Sequence, residues 1–180
     1  MEKAVFAGGC FWCTEAIFKR LKGVTSVLSG YSGGTNPNPD YWQSHDENTG
    51  EAESIQIEFD PKILPYEKLV EIFFHTHDPT SVNRQGYDTG PDYRSIIFYF
   101  DEKQKNEALK VKKEVDDSGY YNSPIVTEIK PFEKFYPAEE YHRDYYERSK
   151  RNLYCRFVID PKLKKLLEMY KEEVKEEYKE

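Results

Sequence analysis

A glycine pair at Gly8-Gly9 separates the apolar run Ala4-Val5-Phe6-Ala7 from a segment in which Cys13, Ile17 and Leu21 recur at helical spacing. The pair therefore marks a strand-to-helix turn, and Cys10 falls where the helix begins. A helix start carries free backbone N–H groups and a partial positive charge, which favour an anion there. A cysteine at that point is expected to have a lowered pKa and a larger thiolate fraction. The next two residues, Phe11 and Trp12, are unusual for an exposed turn unless they wall a pocket. From this stretch alone two readings stay open. Cys10 is either a reactive thiol between aromatic walls or a small buried hydrophobe with Phe11 and Trp12 in the core.

Downstream, Gly23 ends the helix and residues 24–31 read as a strand. Residues 32–50 form a long turn-rich loop holding Tyr41 and Trp42, of a length that is usually functional or disordered. In Glu53-Ser54-Ile55-Gln56-Ile57-Glu58-Phe59 the alternation puts Glu53, Ile55, Ile57 and Phe59 on one face of a strand. A helix over 66–75 follows, then a second long loop over 76–93 and an apolar strand at 95–100 that is expected to be covered on both faces. A charged helix over 101–118 and a strand at 125–129 come next. Residues 131–137 read as irregular, 138–150 as helix, 154–159 as a short strand and 161–180 as an amphipathic helix. The order predicts an α+β fold, a two-layer sandwich with a ferredoxin-like (split β-α-β) core, extra helices and long functional loops. At 180 residues this is one expected catalytic domain, 1–180.

The formal charge is −7, with 26 Lys and Arg against 33 Asp and Glu, which argues against a general nucleic-acid binder. No apolar run approaches a membrane span, and Met1-Glu2-Lys3 leads straight into a strand without a signal-peptide h-region. The expected compartment is the cytoplasm, where cysteines are more often catalytic or metal-binding than structural. Cys10-x-x-Cys13 admits three chemistries: a thioredoxin-like redox pair, half of a zinc site completed by Cys155 and a histidine, or a single nucleophile at Cys10. Zinc is the weakest, since no second knuckle is present. The nucleophile reading needs an acid, and Glu53 is the candidate. A carboxyl on an apolar strand face is desolvated, so its pKa rises and it can hold a proton at neutral pH. A solvated strand end is the alternative for Glu53.

Gly8-Gly9-Cys10-Phe11-Trp12 before a helix resembles the signature of the peptide methionine sulfoxide reductase A family. In order along the chain, Gly30-Tyr31-Ser32-Gly33-Gly34, Asn38-Pro39-Asp40-Tyr41 and Gly50-Glu51-Ala52-Glu53 agree with it. So do His77-Asp78-Pro79-Thr80, Arg84-Gln85-Gly86, Asp88, Tyr93-Arg94-Ser95 and Ala138-Glu139-Glu140-Tyr141-His142. The resemblance implies reduction of the S epimer of methionine sulfoxide, free or in proteins, with no metal or organic cofactor. It implies Cys10 as nucleophile, Glu53 as acid, Phe11 and Trp12 as walls around the substrate methyl, and Tyr41, Tyr93 and Asp88 as hydrogen-bonding groups. It also implies thioredoxin as reductant, a monomer, and Cys155 as the resolving thiol, with Cys13 the alternative. Three departures stand out. Glu51 occupies a position usually held by histidine, which would add negative charge near Glu53. Cys13 replaces a common glycine, and the tail after Cys155 is not glycine-rich.

Overall fold

The computed structural model describes residues 1–36, 38–46 and 49–180. Positions 37, 47 and 48, within the long loop expected at 32–50, lie outside the described residues. Along the chain run β1 (Glu2–Gly8), α1 (Phe11–Phe18), β2 (Val24–Ser32), α2 (Tyr41–Ser44), β3 (Ala52–Phe59) and α3 (Tyr66–Thr76). Then come β4 (Arg84–Gln85), β5 (Asp88–Thr89), β6 (Ser95–Tyr99), α4 (Glu102–Asp117), β7 (Glu128–Pro131), β8 (Phe135–Pro137), α5 (Tyr145–Arg148) and α6 (Asp160–Tyr170).

The main sheet has the order β7-β6-β1-β3-β2-β8. β3 lies between β1 and β2 and is antiparallel to both, so β1-α1-β2 is a split β-α-β unit. β6 pairs with the other edge of β1, so β3-α3-β6 is a second unit that interlocks with the first. This is the expected ferredoxin-like core. The β1 side chains explain the layering. Ala4 and Phe6 face a core with α1 and α3 residues, while Val5 and Ala7 join Ala52, Ile96 and Phe98 on the opposite face. That second face is capped by Phe132 and Phe135, so β6 is covered on both sides as its unbroken apolar run requires.

Five segments differ from the sequence expectation, the first being the strand expected at 125–129, which runs instead over Glu128–Pro131 as β7. The strand expected at 154–159 is a π-helical turn, Cys155–Ile159, that runs into α6. Cys155 and Ile159 are one helical turn apart and pack with Ala16 of α1, a helical period that the aromatic and branched residues between them disguised. The helix expected over 138–150 is a 3-10 turn at Glu140–His142 and the single turn α5, separated by Asp144 at φ 51°. Asp144 leaves helical geometry because its N–H donates to Glu15 Oε1 (3.1 Å) and its carboxylate takes Lys19 Nζ (2.5 Å). The helix expected to reach 180 stops at Tyr170. Beyond it, Lys22 N–H donates to the Glu173 carbonyl, Lys175 N–H donates to the Arg20 carbonyl, and Val174 bridges Leu21. Finally, the segment expected to be irregular at 131–137 contains β8, an edge strand ending in proline.

Phe6 meets Phe18 edge-on at 5.7 Å and Phe73 at 4.8 Å, fixing α1 and α3 on the sheet. Phe6→Ala is expected to destabilise the fold by about 3–5 kcal/mol. Urea unfolding measures this, and an unchanged midpoint would contradict the assigned core.

Candidate active site

Gly9 has φ 89°, and a Cβ there would lie 2.5 Å from Gln85 Cγ, so the turn before α1 requires glycine. Cys10 follows as the N-cap of α1 in extended backbone geometry (φ −57°, ψ 125°). Its carbonyl accepts the first helical bonds, from Cys13 N–H at 3.0 Å and Thr14 N–H at 3.4 Å. All three cysteines are buried, at 7% residue exposure for Cys10, 1% for Cys13 and 0% for Cys155. All three are reduced and share one cluster with Ala16 and Ile159.

Glu53 is buried at the end of β3, and its Oε2 accepts the Phe11 N–H at 3.0 Å. The first free donor of the helix thus goes to a carboxyl. Burial raises its pKa well above the ordinary carboxyl range against that hydrogen bond, and the charges of Asp92, Asp88 and Cys13 push in the same direction as burial. Glu51 contributes nothing comparable. It turns to the Gly33-Gly34 bend, and its own raised pKa comes from burial. The charge near Glu53 comes from Asp92 and Asp88 instead.

The thiols depart from the expectation of a low-pKa Cys10. Burial and the hydrogen bond it shares with Cys13 raise Cys10 well above the ordinary thiol value. That same hydrogen bond lowers Cys13 to about 7. The two thiols thus titrate as a pair, Cys10 pushed up and Cys13 pushed down. Tyr154 OH lies 3.8 Å from Cys13 Sγ and donates to Asp88 Oδ2 at 2.6 Å, so Asp88 and Tyr154 stand on the Cys13 side of the site.

The aromatic shell is tied to the segment after β8. Trp12 Nε1–H donates to His142 Nδ1 (3.1 Å), and the indole stacks on Tyr145 at 3.7 Å and 9°. Trp12 is half-buried, whereas Phe11 is fully buried against Tyr31 and His142. Tyr41 N–H donates to Glu139 Oε1 (3.0 Å), and the Tyr41 ring packs on His45 and His142. Tyr93 OH lies 3.0 Å from His45 Nε2. Burial raises the Tyr41 phenol to about 12 and holds Tyr93 well above the usual phenol value, so both stay protonated as donors.

The structure thus brings Cys10, Cys13, Glu53, Tyr41, Tyr93, Asp88 and Trp12 to one end of the sheet, with Phe11 behind and Cys155 beneath. Sequence reasoning missed His45, Asp92, Tyr154 and Tyr145. Asp92 and Tyr154 each stand directly before a residue that was singled out, which is the only signal they offered.

The family model described as peptide methionine sulfoxide reductase matches residues 2–175. The chain belongs to this family. A peptide methionine sulfoxide reductase MsrA of Saccharolobus solfataricus is 52% identical over 175 residues, covering 97% of this chain and 98% of that protein. The Thermus thermophilus MsrA is 51% identical over 170 residues, covering 94% and 96%. Among solved structures, reduced Mxr1 from Saccharomyces cerevisiae superposes with a TM-score of 0.79 at 31% identity, covering 86% of this chain and 88% of that one. Mxr1 in complex with Trx2 gives 0.56 at 25% identity, covering 80% and 84%. The chain is accordingly an oxidoreductase, a methionine sulfoxide reductase. Among the described residues no helix is long and apolar enough to cross a membrane.

The thiol pair generates a direct expectation for this reductase. Thiolate absorbance in the ultraviolet should rise by one equivalent with a midpoint near pH 7, because Cys13 loses its proton at about 7. The second thiolate should appear only above the ordinary thiol value, since Cys10 is raised. Cys13→Ser should abolish the low transition, and a low transition that survives there would place the charge on Cys10.

Proposed function

We propose that this reductase acts on the S epimer of methionine sulfoxide, free or in proteins, with Cys10 as nucleophile and Glu53 as acid. The observation that carries the reading is the shared helix start: the Cys10 thiol at the N-cap and a buried carboxyl, Glu53, on the adjacent Phe11 N–H. A sulfoxide oxygen is a poor leaving group, so attack at sulfur needs that oxygen protonated or tightly hydrogen-bonded. Fixed donors provide this without reorganisation. Glu53 supplies the proton, Tyr41 and Tyr93 supply phenol donors, and Trp12 walls the substrate methyl with Phe11 behind it.

The proton count closes within the site. Cys10 passes its thiol proton to the Cys13 thiolate and attacks the sulfoxide sulfur, while Glu53 gives its proton to oxygen. The S–O bond breaks as the S–S bond forms; the released hydroxide then attacks the Cys10 sulfur, the S–S bond breaks, and methionine departs with the electron pair, leaving Cys10 as a sulfenic acid. Methionine sulfoxide is reduced by two electrons and the thiol is oxidised by two. Cys13, now a thiol, then attacks the sulfenic sulfur, and its proton leaves with the hydroxyl as water. The family resemblance gives this resolving role to Cys155. Cys13 is favoured for the first step because it lies three residues from Cys10 on the same helix, while Cys155 comes from the distant segment packed beneath both. Cys155 then exchanges onto the Cys13 sulfur and frees Cys10. A thioredoxin-type dithiol reduces the final disulfide, in keeping with the Mxr1 structure that contains Trx2. Asp88 positions Tyr154 beside Cys13. The chain works as one catalytic domain, a monomer in the cytoplasm, where three free thiols suit a reducing compartment.

A thioredoxin-like oxidoreductase built on Cys10-x-x-Cys13 is the second reading, favoured by the hydrogen-bonded thiol pair. It calls for a low pKa on the first cysteine of the pair, and here Cys10 is raised.

Assay of chirally resolved sulfoxides with dithiothreitol tests the reading. Only the S epimer should consume reductant, and insulin disulfides should not be reduced in its place. In the same assay Glu53→Gln, which keeps shape but loses the transferable proton, is expected to slow methionine release by about 10²–10⁴. Release at the wild-type rate would remove Glu53 from the role of acid. For the thiols, one equivalent of sulfoxide added to Cys155→Ser should give a Cys10–Cys13 disulfide by mass spectrometry. Cys13→Ser, which lacks the thiolate base, should form the sulfenic acid more slowly and then stall there. A Cys10–Cys155 disulfide formed at full rate in Cys13→Ser would reverse the order of the two resolving steps.

A further inference from the structure

His45, Glu53 and Asp92 each direct one donor atom to a common point, with those atoms all within 4.8 Å of one another. His45 Nε2 lies 3.4 Å from Asp92 Oδ2 and 4.0 Å from Glu53 Oε1. Both carboxyls are buried, Glu53 at 2% and Asp92 at 3% exposure. Asp92 Oδ2 has no hydrogen-bond partner among the described residues, a costly state for a buried oxygen. The histidine is also oriented for a ligand. Its Nδ1 lies 2.7 Å from the Tyr41 carbonyl oxygen, which can only accept, so the ring proton sits on Nδ1. Nε2 is directed at the two carboxyls and lies 3.0 Å from the Tyr93 hydroxyl. A backbone carbonyl that fixes the tautomer in this way is the usual outer partner of a metal-bound histidine.

We propose that His45, Glu53 and Asp92 form a site for a zinc-type divalent cation, and that its binding stops the reductase step by occupying the Glu53 carboxyl. One nitrogen and two carboxylate oxygens suit such an ion, with water or substrate oxygen in the fourth position. Bonds of about 2.0–2.2 Å put tetrahedral donors within roughly 3.5 Å of each other, so the widest pair must close by only about 1 Å. Binding is an exchange: the cation enters, the Glu53 carboxyl proton leaves to solvent, and Tyr93 releases Nε2. Catalysis itself needs no metal; the bound ion competes with it. The inhibitory part rests on the acid role proposed for Glu53, whereas the binding part does not.

Two measurements separate these. The Cys10–Cys13 pair would itself take zinc, so binding is measured by cobalt(II) titration of the Cys10→Ser/Cys13→Ser protein. One equivalent should bind and give visible bands without the near-ultraviolet band of a sulfur ligand. Adding His45→Gln or, separately, Asp92→Asn should weaken binding by at least about tenfold. In the thiol-intact protein, single-turnover methionine release without added thiol is compared in zinc and in chelator. Zinc should suppress it, and His45→Gln should shrink the ratio of the two rates by at least about tenfold. No cobalt binding in the double-serine protein, or binding indifferent to both substitutions, would overturn the site. Binding that leaves methionine release unchanged would overturn its inhibitory role. A protein that binds cobalt as expected but reduces no sulfoxide even in chelator would instead sink the reading of Glu53 and Cys10.

Discussion

The hydrogen bond from Phe11 N–H to Glu53 joins the two halves of the chemistry, and the sheet topology makes it possible. β3 runs antiparallel beside β1 with Phe6 opposite Ile55. Continuing that register brings Glu53 opposite Gly8, where β1 gives way to the turn before α1. The acid therefore meets the helix start because β3 is the strand inserted between β1 and β2. A helix N-terminus by itself favours a carboxylate. Burial and the nearby Asp92 and Asp88 outweigh it, so the residue keeps its proton while remaining hydrogen-bonded. This is how a carboxyl stays both satisfied and acidic enough to be useful at neutral pH.

Support for the site comes from the chain after β8, far away in sequence. His142 holds the Trp12 indole, Tyr145 stacks on it, Glu139 takes the Tyr41 backbone, and Tyr154 reaches Asp88 and Cys13. Asp144 adopts a left-handed conformation to reach Glu15 and Lys19 of α1. Burial raises Glu15 to about 7, so this clasp between α1 and the wrapping segment is one more buried carboxyl beside the catalytic helix. Regular helix over these residues would turn some of these groups away. The irregular backbone is what lets one short segment contact α1, α2 and the Asp88 hairpin together.

Where local period and burial agree, the sequence was sufficient. Ile55, Ile57 and Phe59 alternate in a buried strand, and the apolar run from Ser95 is a strand covered on both faces. Cys10, Glu53, Tyr41 and Tyr93 stand together, as their motifs implied. Legibility failed where long-range partners decide local structure. Cys155–Ile159 has strand-like side chains, yet no free strand edge receives it, and α1 offers Ala16 to a helical face instead. The 161–180 periodicity is helical throughout, but backbone bonds to Arg20 and Lys22 end the helix at Tyr170. His45 and Asp92 carry no pattern of their own, and only the fold brings them to Glu53.

The thiol pair shows the same limit in its chemistry. The position of Cys10 at a helix start argued for a low pKa on that residue, but burial raises it, and the thiol three residues on is the one lowered. Cys13 gains the charge through its hydrogen bond with Cys10 and lies near Lys162, whose charge also lowers it. In the mechanism proposed above, Cys10 keeps its proton and Cys13 acts as its base, beside Glu53 as acid. If both thiols were ionised they would oppose one another, and if both were protonated the attack would lack a base. On that proposal the Cys-x-x-Cys spacing acts before any disulfide forms, as an internal proton acceptor, and the proton that Cys13 takes during attack is the one that leaves with water when it closes the disulfide.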